Sequence, residues 1–430
     1  MGPPALAKPR SCVKIIYMVN KRLLLLLLCC AFPLNLLAAP APQTAPLSLT
    51  DIARSFTGVP VVPDLAEPPA IGAPSQVFSR GDFSQVPDYA FAYLNDVTGK
   101  IIDASSQSVD IAMFSMNLKD DPDALLRAVA RGVKVRVIID EHHVFPRADD
   151  QVKRLIDAGN IEVRTLRGTR AYGVNHNKIC VYDGAIATLG SYNWTFGATF
   201  SNYENMLVAR NPIYVKAYAD YFEWMWSKAR PVAQGPCPAE LPEGYYGVPP
   251  QDPSPEQSLN GVPVPAYLFS PGSGTENRLA AIIDAARISV DAVTFTFSSK
   301  PLGDAIIRAK QRGVKVRFMM DEAMAKTSAI AKYVFDGGVD FRVRRGRTDK
   351  GAMHNKFAIL DGKILETGSF NWTTNASVNS FENVAFVSDQ GAIKAYQAKY
   401  DWFYSSSTAP TADFFQPEPA ITDDGTKAAD

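Results

Sequence analysis

The chain carries one set of chemically capable residues twice. Each copy reads His-Asn-Lys, four residues, Asp, six residues and then Gly-Ser-x-Asn-Trp-Thr, and a Glu-Asn pair follows each copy at the same distance. The two sets are His176, Lys178, Asp183, Ser191, Asn193 and Glu204, then His354, Lys356, Asp361, Ser369, Asn371 and Glu382. Agreement over so many positions indicates a duplicated functional unit and not a chance repeat.

Histidine and lysine at this spacing suit the chemistry of a phosphodiester. In an extended His-Asn-Lys run the imidazole and the ammonium project to one face and the Asn to the other. Two copies brought together supply two imidazoles, one to attack phosphorus and one to protonate the departing alkoxide and then activate water. Lys and Asn side chains, with Ser hydroxyls, can donate to the non-bridging oxygens, and a Glu carboxylate can fix each ring. Because the cationic side chains take the place of a metal, we predict no metal and no cofactor.

The surrounding elements must hold the two sets together. Before its motif, each repeat predicts a strand, a helix and a second strand, and such a one-helix crossover gives parallel pairing in an α/β layer. These elements lie at 108–114, 120–131 and 132–141, and again at 289–295, 302–312 and 313–322. Each repeat ends in an aromatic-rich helix, at 212–229 and 391–405, whose stripe predicts a core. We expect two α/β halves related by a pseudo-twofold axis, with the active site at their interface.

The pattern His-x-Lys-x4-Asp-x6-Gly-Ser-x-x-Asn, present twice, resembles the motif of the phospholipase D superfamily. Its ending is most similar to the small bacterial members, and the likeness covers about 76–229 and 263–406. The resemblance implies two tandem α/β sandwich domains, at 76–230 and 263–407, and metal-independent cleavage or transfer of a phosphodiester through a phosphohistidine. It implies that the two His-Lys-Asp sets are catalytic, with His176 in the place of the nucleophile. The two aspartates are expected to be more structural than catalytic.

The N-terminal segment is typical of an export signal. Lys21 and Arg22 precede an apolar run and then small residues, which predicts a cleaved signal peptide over 1–41 or, alternatively, a retained membrane anchor. The composition predicts a poorly ordered leader at 42–75, a Pro/Gly-rich linker at 231–262 and a disordered tail at 408–430. The protein is therefore expected to be periplasmic or secreted.

The charge balance argues against extended nucleic-acid binding. The chain has 44 basic and 44 acidic residues, and its first fifty residues hold five of the basic ones and no acid. Without that segment 39 basic residues face 44 acidic ones, a net charge of −5. Proteins that grip polyanions along their length usually carry a basic surplus. A local phosphate pocket stays compatible with this balance.

Three functional classes remain after these observations. The first is a phospholipase, or a lipid transphosphatidylase, acting at a membrane surface as a monomer with an intramolecular two-domain site. The second is a metal-independent endonuclease, favoured by the basic residues before each motif, which would either guide phosphate or form a solvated face. The third, an inactive scaffold, is opposed by the intact motifs. The basic residues are Arg164, Arg167, Arg170, Arg342, Arg344, Arg345, Arg347 and Lys350.

The remaining histidines and cysteines receive structural interpretations. His142 and His143 follow a predicted strand, but the second repeat has Ala323 and Met324 there, so we interpret them as non-catalytic loop residues. Cys180 shares a face with the motif side chains, but its counterpart is Ala358, so we interpret Cys180 as packing. Nothing in the spacing requires a disulfide between Cys180 and Cys237.

Overall fold

The computed structural model describes residues 77–416, except 171, 238, 239 and 243. The predicted signal peptide and leader lie outside the described residues, as do 417–430 of the predicted tail. Each repeat forms a mixed sheet flanked by helices, which confirms the predicted α/β halves.

The first sheet has eight strands in the order β1-β7-β6-β5-β2-β3-β4-β8. Strands β2, β3 and β4 are parallel neighbours, as the one-helix crossover predicts, and the other neighbours pair antiparallel. The strands are β1 (Tyr89–Ala90), β2 (Ser108–Met113), β3 (Lys134–Asp140), β4 (Glu162–Leu166), β5 (Lys178–Tyr182), β6 (Ile186–Gly190), β7 (Met206–Ala209) and β8 (Arg230–Pro231).

The second sheet repeats this topology with seven strands in the order β11-β17-β16-β15-β12-β13-β14. Strands β12, β13 and β14 are its parallel neighbours. A short hairpin of β9 (Gln257–Leu259) and β10 (Val262–Val264) precedes this sheet. Its strands are β11 (Tyr267–Ser270), β12 (Ser289–Thr294), β13 (Lys315–Asp321), β14 (Asp340–Arg344), β15 (Phe357–Leu360), β16 (Ile364–Gly368) and β17 (Glu382–Val387).

Helices connect the strands in the same order in both repeats. The first repeat has α1 (Leu94–Ala104), α2 (Asp120–Ala130), α3 (Asp150–Asp157), α4 (Phe196–Phe200) and α5 (Pro212–Lys228). The second has α6 (Thr275–Ala285), α7 (Lys300–Gln311), α8 (Glu322–Thr327), α9 (Ala329–Asp336), α10 (Thr374–Val378) and α11 (Gln390–Ser405). Three-residue 3-10 helices occur at Glu141–His143, Val232–Gln234 and Ala412–Phe414. None of these helices is long and apolar enough to cross a membrane.

Aromatic residues of α5 and α11 form the central core, which joins the two repeats. Tyr218 and Phe222 on α5 and Tyr396 and Tyr400 on α11 are almost completely buried and share one cluster with side chains from both sheets. The opposite face of each sheet packs a separate core of its own repeat. The aromatic stripe is therefore core, as predicted, and it is the core that holds the two halves together.

The motif aspartates form the turns from β5 to β6 and from β15 to β16. Asp183 and Gly184 join β5 to β6 with positive φ at both residues (51° and 61°), and Asp361 and Gly362 do the same in the second repeat. Asp-Gly favours this primed turn because both residues tolerate the left-handed region. The Asp183 carboxylate also accepts hydrogen bonds from the backbone amides of 106, 107 and 108, at 2.8 to 2.9 Å.

The chain outside the repeats is more ordered than its composition predicts. The predicted linker at 231–262 contains a 3-10 helix at Val232–Gln234, strand β9 and the first residue of β10. The expectation of a disordered tail is wrong for 408–416, because Thr408 exchanges two backbone hydrogen bonds with Val343 and Phe415 is buried. The segment is mostly polar, which led to the prediction of disorder, but its Phe415 packs against Phe341 and Phe335.

One buried carboxyl group of the second repeat is poorly satisfied, because the nearby Ala358 backbone amide offsets its burial only in part. Glu366 in β16 is fully buried, and neither of its oxygens accepts or donates a hydrogen bond among the described residues. Burial raises its pKa to about 8. The first repeat has Thr188 at the equivalent strand position, so this group is specific to the second half.

We predict that Asp183→Ala destabilises the fold. The substitution removes an ionised acceptor of three backbone amides and places Ala at positive φ, and we expect a loss of about 2–3 kcal/mol in the free energy of unfolding. Urea unfolding would measure it. Asp183→Asn is the matched control, because Asn tolerates the left-handed region and keeps one acceptor oxygen. A variant as stable as the wild type would contradict the anchoring role.

We predict that Glu366→Gln flattens the dependence of stability on pH. The folded pKa lies above the usual value of 4.5, so the stability present below pH 4.5 is lost as the pH rises toward 8. The loss is about 1.4 kcal/mol per pH unit. Urea unfolding at several pH values between 5 and 8 should show the difference between variant and wild type growing with pH. A difference that stays constant across this range would contradict the prediction.

Candidate active site

The His-Asn-Lys runs enter the central strands with the alternation that the sequence predicts. Asn177 points into the core, where its amide donates to the Tyr221 hydroxyl at 3.3 Å. His176 lines the cleft, and both its ring and the Lys178 ammonium pack against the Phe114 ring. The Lys178 ammonium donates to the His176 carbonyl at 2.5 Å, and Lys356 donates to the carbonyl of His354 at 2.7 Å. Each ammonium is thereby held beside the imidazole of its own copy.

Each imidazole is bound by a carboxylate from the other repeat. His176 Nδ1 lies 2.9 Å from a carboxylate oxygen of Glu382, and His354 Nδ1 lies 2.8 Å from Glu204. The four side chains are buried, with the two histidines about 9% exposed. Because Nδ1 is occupied, Nε2 is the nitrogen left to face a substrate. Each Glu is thus positioned to fix the orientation of a ring, as predicted. Because each Glu binds the ring of the other repeat, the two half-sites are held together.

The motif serines orient these carboxylates. Ser191 Oγ donates to Glu204 at 2.5 Å, and Ser369 Oγ donates to Glu382 at the same distance. We expected these hydroxyls to donate to a substrate, but they are already engaged by the Glu side chains. The glycine before each serine is needed for this approach, because a Cβ at Gly368 would lie 2.1 Å from the Asn383 carbonyl oxygen.

The asparagines after the two Glu residues tie the repeats together. Asn205 Nδ2 donates to Asn355 Oδ1, and Asn383 Nδ2 donates to Asn177 Oδ1, both at 2.9 Å. Two backbone bonds run alongside, from His176 N to the carbonyl of Phe381 and from the His354 amide to that of Tyr203. Each of these contacts has a counterpart in which the roles of the two repeats are swapped, as a pseudo-twofold axis requires.

Two phenylalanines belong to the site and were missed from the sequence. The Phe114 ring meets the His176 ring edge-on at 5.1 Å, and Phe295 meets His354 in the same way at 4.8 Å. The two lysine ammonium groups lie over the same rings, at 5.1 and 5.2 Å. The signal was present, because both residues end the repeated strand segment at 108–114 and 289–295. A phenylalanine at the end of a buried strand reads first as core.

Burial dominates the electrostatics of the site. It lowers the pKa of His176, and the charges of Lys178, Lys356 and His354 lower it further. Burial also lowers the pKa of His354, against the opposing charge of Glu204. It lowers the pKa of Lys178 well below its usual range and that of Lys356 to about 7. A site in which cations are disfavoured by burial gains stability when an anion enters.

The pKa values of the two carboxylates shift in opposite directions although their contacts match. Burial raises the pKa of Glu382 to about 8, which favours its neutral form. Burial acts in the same direction on Glu204, but the charge of His354 and its hydrogen bond outweigh it and hold the pKa below the usual value.

The structure does not bring every predicted residue into the cleft. Asp183 lies at the far end of β5, five residues from Lys178 and so about 16 Å along the strand. Asp361 is placed in the same way and binds backbone amides of 287–289. The implied catalytic role of these two aspartates is therefore corrected, because both contact the backbone of a turn and neither reaches the cleft. Asn371 lines the cleft, and both it and Asn193 have a buried amide oxygen without a partner among the described residues.

Most of the basic residues before the motifs contact the protein itself. The interactions are Arg164 with the Trp226 carbonyl (2.9 Å), Arg342 with Asp340 (3.3 Å), Arg344 with the Ser406 carbonyl (2.8 Å), Arg345 with Glu322 (2.7 Å), Arg347 with the Phe91 carbonyl (2.9 Å) and Arg167 with the Gly168 carbonyl (3.3 Å). Arg170 and Lys350 have exposed side chains. These contacts therefore do not form a continuous surface that could guide phosphate.

The remaining histidines and cysteines lie around the site without entering it. His142 and His143 bind Asp140 and Asp149 at 2.9 and 2.7 Å. Cys180 is buried in the core of the first repeat, and Cys237 is half-buried; both are free thiols. Within 77–416, the described side chains form no group of three or more His, Cys, Asp or Glu residues that could hold a metal ion.

Comparisons with known proteins agree with this architecture. The mitochondrial cardiolipin hydrolase of Homo sapiens is 35% identical over 148 residues, which cover 34% of this chain and 58% of that protein. The phospholipase D of Rickettsia prowazekii is 30% identical over 34% of this chain and 69% of its own length. The chain thus spans little more than half of the human relative that it matches.

A solved structure shares the fold across both repeats. The phosphatidylserine synthase of Haemophilus influenzae superposes with a TM-score of 0.57 over 75% of this chain and 87% of its own, at 13% identity. At that identity the likeness speaks for the fold alone.

A family model described as cardiolipin synthase, PLD-like domain, matches the chain at residues 99–226 and again at 279–404. The two matches span most of both sheets and include both His-Asn-Lys runs and both Glu residues that bind the imidazoles. Since they cover more than half of the chain, the chain belongs to the phospholipase D-like family, with the family domain present twice.

Proposed function

We propose that this protein is a metal-independent phosphodiesterase that hydrolyses phospholipid head groups and releases phosphatidic acid. The observation that carries the proposal is the pair of cross-repeat His–Glu contacts, with a lysine ammonium beside each ring. Such a site offers a nucleophile, an acid and cations to one phosphodiester. The relatives named cardiolipin hydrolase and phospholipase D support a lipid as the substrate.

The reaction proceeds through a phosphohistidine in two displacements. Nε2 of one neutral imidazole attacks phosphorus, and the bond from phosphorus to the head-group oxygen breaks. The other imidazole, protonated, gives its Nε2 proton to that oxygen as the alcohol leaves. The same ring then takes a proton from water, whose oxygen attacks phosphorus and breaks the P–N bond. Each Glu fixes the tautomer of its ring and stabilises the charged form.

The family resemblance gives His176 the role of the attacking ring, which leaves His354 as the proton donor, and the Glu bound to each ring orients it for its task. Lys178 and Lys356 would hold the non-bridging oxygens, with the Asn193 and Asn371 amides beside them, and the anion would restore the charge that burial disfavours on the lysines.

A lipid substrate fits the charge distribution better than a nucleic acid. A nucleic-acid-binding surface needs cations aligned along a path, because phosphate neutralisation supplies most of the affinity. Here the arginines before the motifs bind carbonyls and carboxylates of the protein. Both half-sites belong to one chain, which supports a monomer as the active species. We also propose that the chain is exported, on the sequence of its first 41 residues.

We predict cleavage of phospholipid and not of DNA by the purified protein, in the presence of EDTA as in its absence. His176→Ala and His354→Ala should each lower the rate by at least about 1,000-fold, because both rings act on one phosphorus. Phosphatidic acid release from vesicles and nicking of supercoiled DNA would be followed in parallel. Asp183→Asn, outside the cleft, is the matched control. DNA cleavage without lipid cleavage would establish the nuclease instead, and sensitivity to the chelator would contradict the electrostatic mechanism.

We predict that a substrate with an activated leaving group traps the intermediate in His354→Ala. Nitrophenol departs without a proton donor, so phosphatidyl-p-nitrophenol should still phosphorylate His176, while the missing base slows hydrolysis of the P–N bond. Intact-protein mass spectrometry should detect one phosphatidyl adduct, which is acid-labile as a phosphohistidine is. His176→Ala should form no adduct. An adduct on His354 in that variant would reverse the two roles, and none in either would contradict the covalent step.

A further inference from the structure

A cavity of about 500 Å3 opens beside His176 and Glu382 on the side of the second repeat. Most of the rest of its wall comes from three segments of that repeat: the residues after β12, the junction of α8 and α9, and the residues from Asn371 into α10. Its volume is in the range of small-molecule sites. The cavity therefore has room for a substituent of the phosphodiester beyond the phosphate itself.

The wall offers neutral hydrogen-bonding groups that the protein leaves unused. Thr296 is half-buried and Ser298 and Thr327 are exposed, and their hydroxyls make no hydrogen bond to another described residue. Asn371 has a buried amide oxygen without a partner among the described residues. The hydroxyls of Ser328 and Thr373, in contrast, accept from the amides of helix N-termini. Hydroxyls and amides both donate and accept, which is what a hydroxyl-bearing ligand needs.

Charged head groups find no partner in this cavity. His176 and Glu382 are the ionisable residues of the described wall, and they bind each other at 2.9 Å. The wall has no free carboxylate for an ammonium group and no Lys or Arg for an anionic group. Phe297 is buried against Phe318 and Trp372 and does not offer an open aromatic face to a quaternary ammonium.

The corresponding wall of the first repeat has different chemistry. In the second repeat, α8 and Ser328 fill the seven residues between β13 and α9. The first repeat has nine residues between β3 and α3, namely the 3-10 helix Glu141–His143 and a loop that contains Pro146 and Arg147. His143 binds Asp149, and Arg147 is largely exposed. The two sides of the cleft are thus alike at the imidazoles and unlike where the substituents of a diester would extend.

We propose that this cavity binds the polar alcohol of the lipid and selects a neutral polyol, such as glycerol or a sugar, over choline or ethanolamine. Thr296, Ser298 and Thr327 determine this preference by hydrogen bonding to the hydroxyls of the head group. The inference rests on the proposed lipid phosphodiesterase activity and adds the class of head group to it.

The test compares short-chain lipids that differ in the head group and stay monomeric in solution, so that surface charge plays no part. Dihexanoyl phosphatidylglycerol, phosphatidylcholine and phosphatidylethanolamine would be given to the full-length protein, with kcat/KM measured for each. We expect phosphatidylglycerol to be preferred by at least about tenfold. The triple variant T296V/S298A/T327V should lower the glycerol-to-choline ratio by roughly 10- to 100-fold, since each hydroxyl contributes up to about fivefold. Ser115→Ala, at the first-repeat position equivalent to Thr296, is the control and should keep the wild-type ratio.

The outcomes separate this inference from the activity on which it rests. Equal cleavage of the three lipids, or a triple variant with the wild-type ratio, would overturn the polyol pocket and leave the phosphodiesterase standing. An equal fall of the ratio in Ser115→Ala would also overturn it, since the effect would not be specific to this wall. If none of the lipids is cleaved while DNA is, the proposed function fails, and the pocket fails with it.

Discussion

The structure depends on two buried hydrogen bonds between an imidazole of one repeat and a carboxylate of the other. His176 with Glu382 and His354 with Glu204 are groups that water would solvate well, and their burial is costly unless each finds its partner at close range. Each histidine takes its carboxylate from the other repeat. The two halves must therefore meet in one register, because a shift would leave buried charge without a partner.

The interface between the repeats is built to hold that register. Apolar packing by the aromatic residues of α5 and α11 supplies contact area but is not directional. Direction comes from polar pairs inside it, such as Asn205 with Asn355 and Asn383 with Asn177. An amide displaced from such a pair would be buried and unsatisfied. The asparagines beside the two Glu residues thus place the carboxylates where the imidazoles need them.

Much of this could be predicted from the sequence, because the chain states its pattern twice. The duplicated spacing gave the two α/β halves, the common face of His176 and Lys178 and the opposite face of Asn177. It could not show that each Glu serves the other repeat, since Glu204 lies 28 residues after His176, as Glu382 does after His354, and a distance along the chain does not reveal a crossing. The site role of Phe114 and Phe295 was not predicted, because an apolar residue at the end of a strand is usually part of the core. The tail was misjudged because one buried aromatic, Phe415, orders a polar segment.

Duplication within one chain has a physical consequence that two identical subunits would lack. A phosphodiester is symmetric at phosphorus, with two equivalent non-bridging oxygens, and the paired imidazoles and ammonium groups match that symmetry. Its two alcohols are unlike whenever the substrate is a lipid, and an exact twofold axis would give both alcohols the same wall. Once the two halves are encoded separately, each wall can change alone. The segment with Thr327 and Ser328 between β13 and α9, for example, differs in length and in structure from the segment between β3 and α3. The imidazoles and ammonium groups that act on phosphorus must then stay alike in both repeats, while the walls around the two alcohols can diverge. The two halves differ in this way.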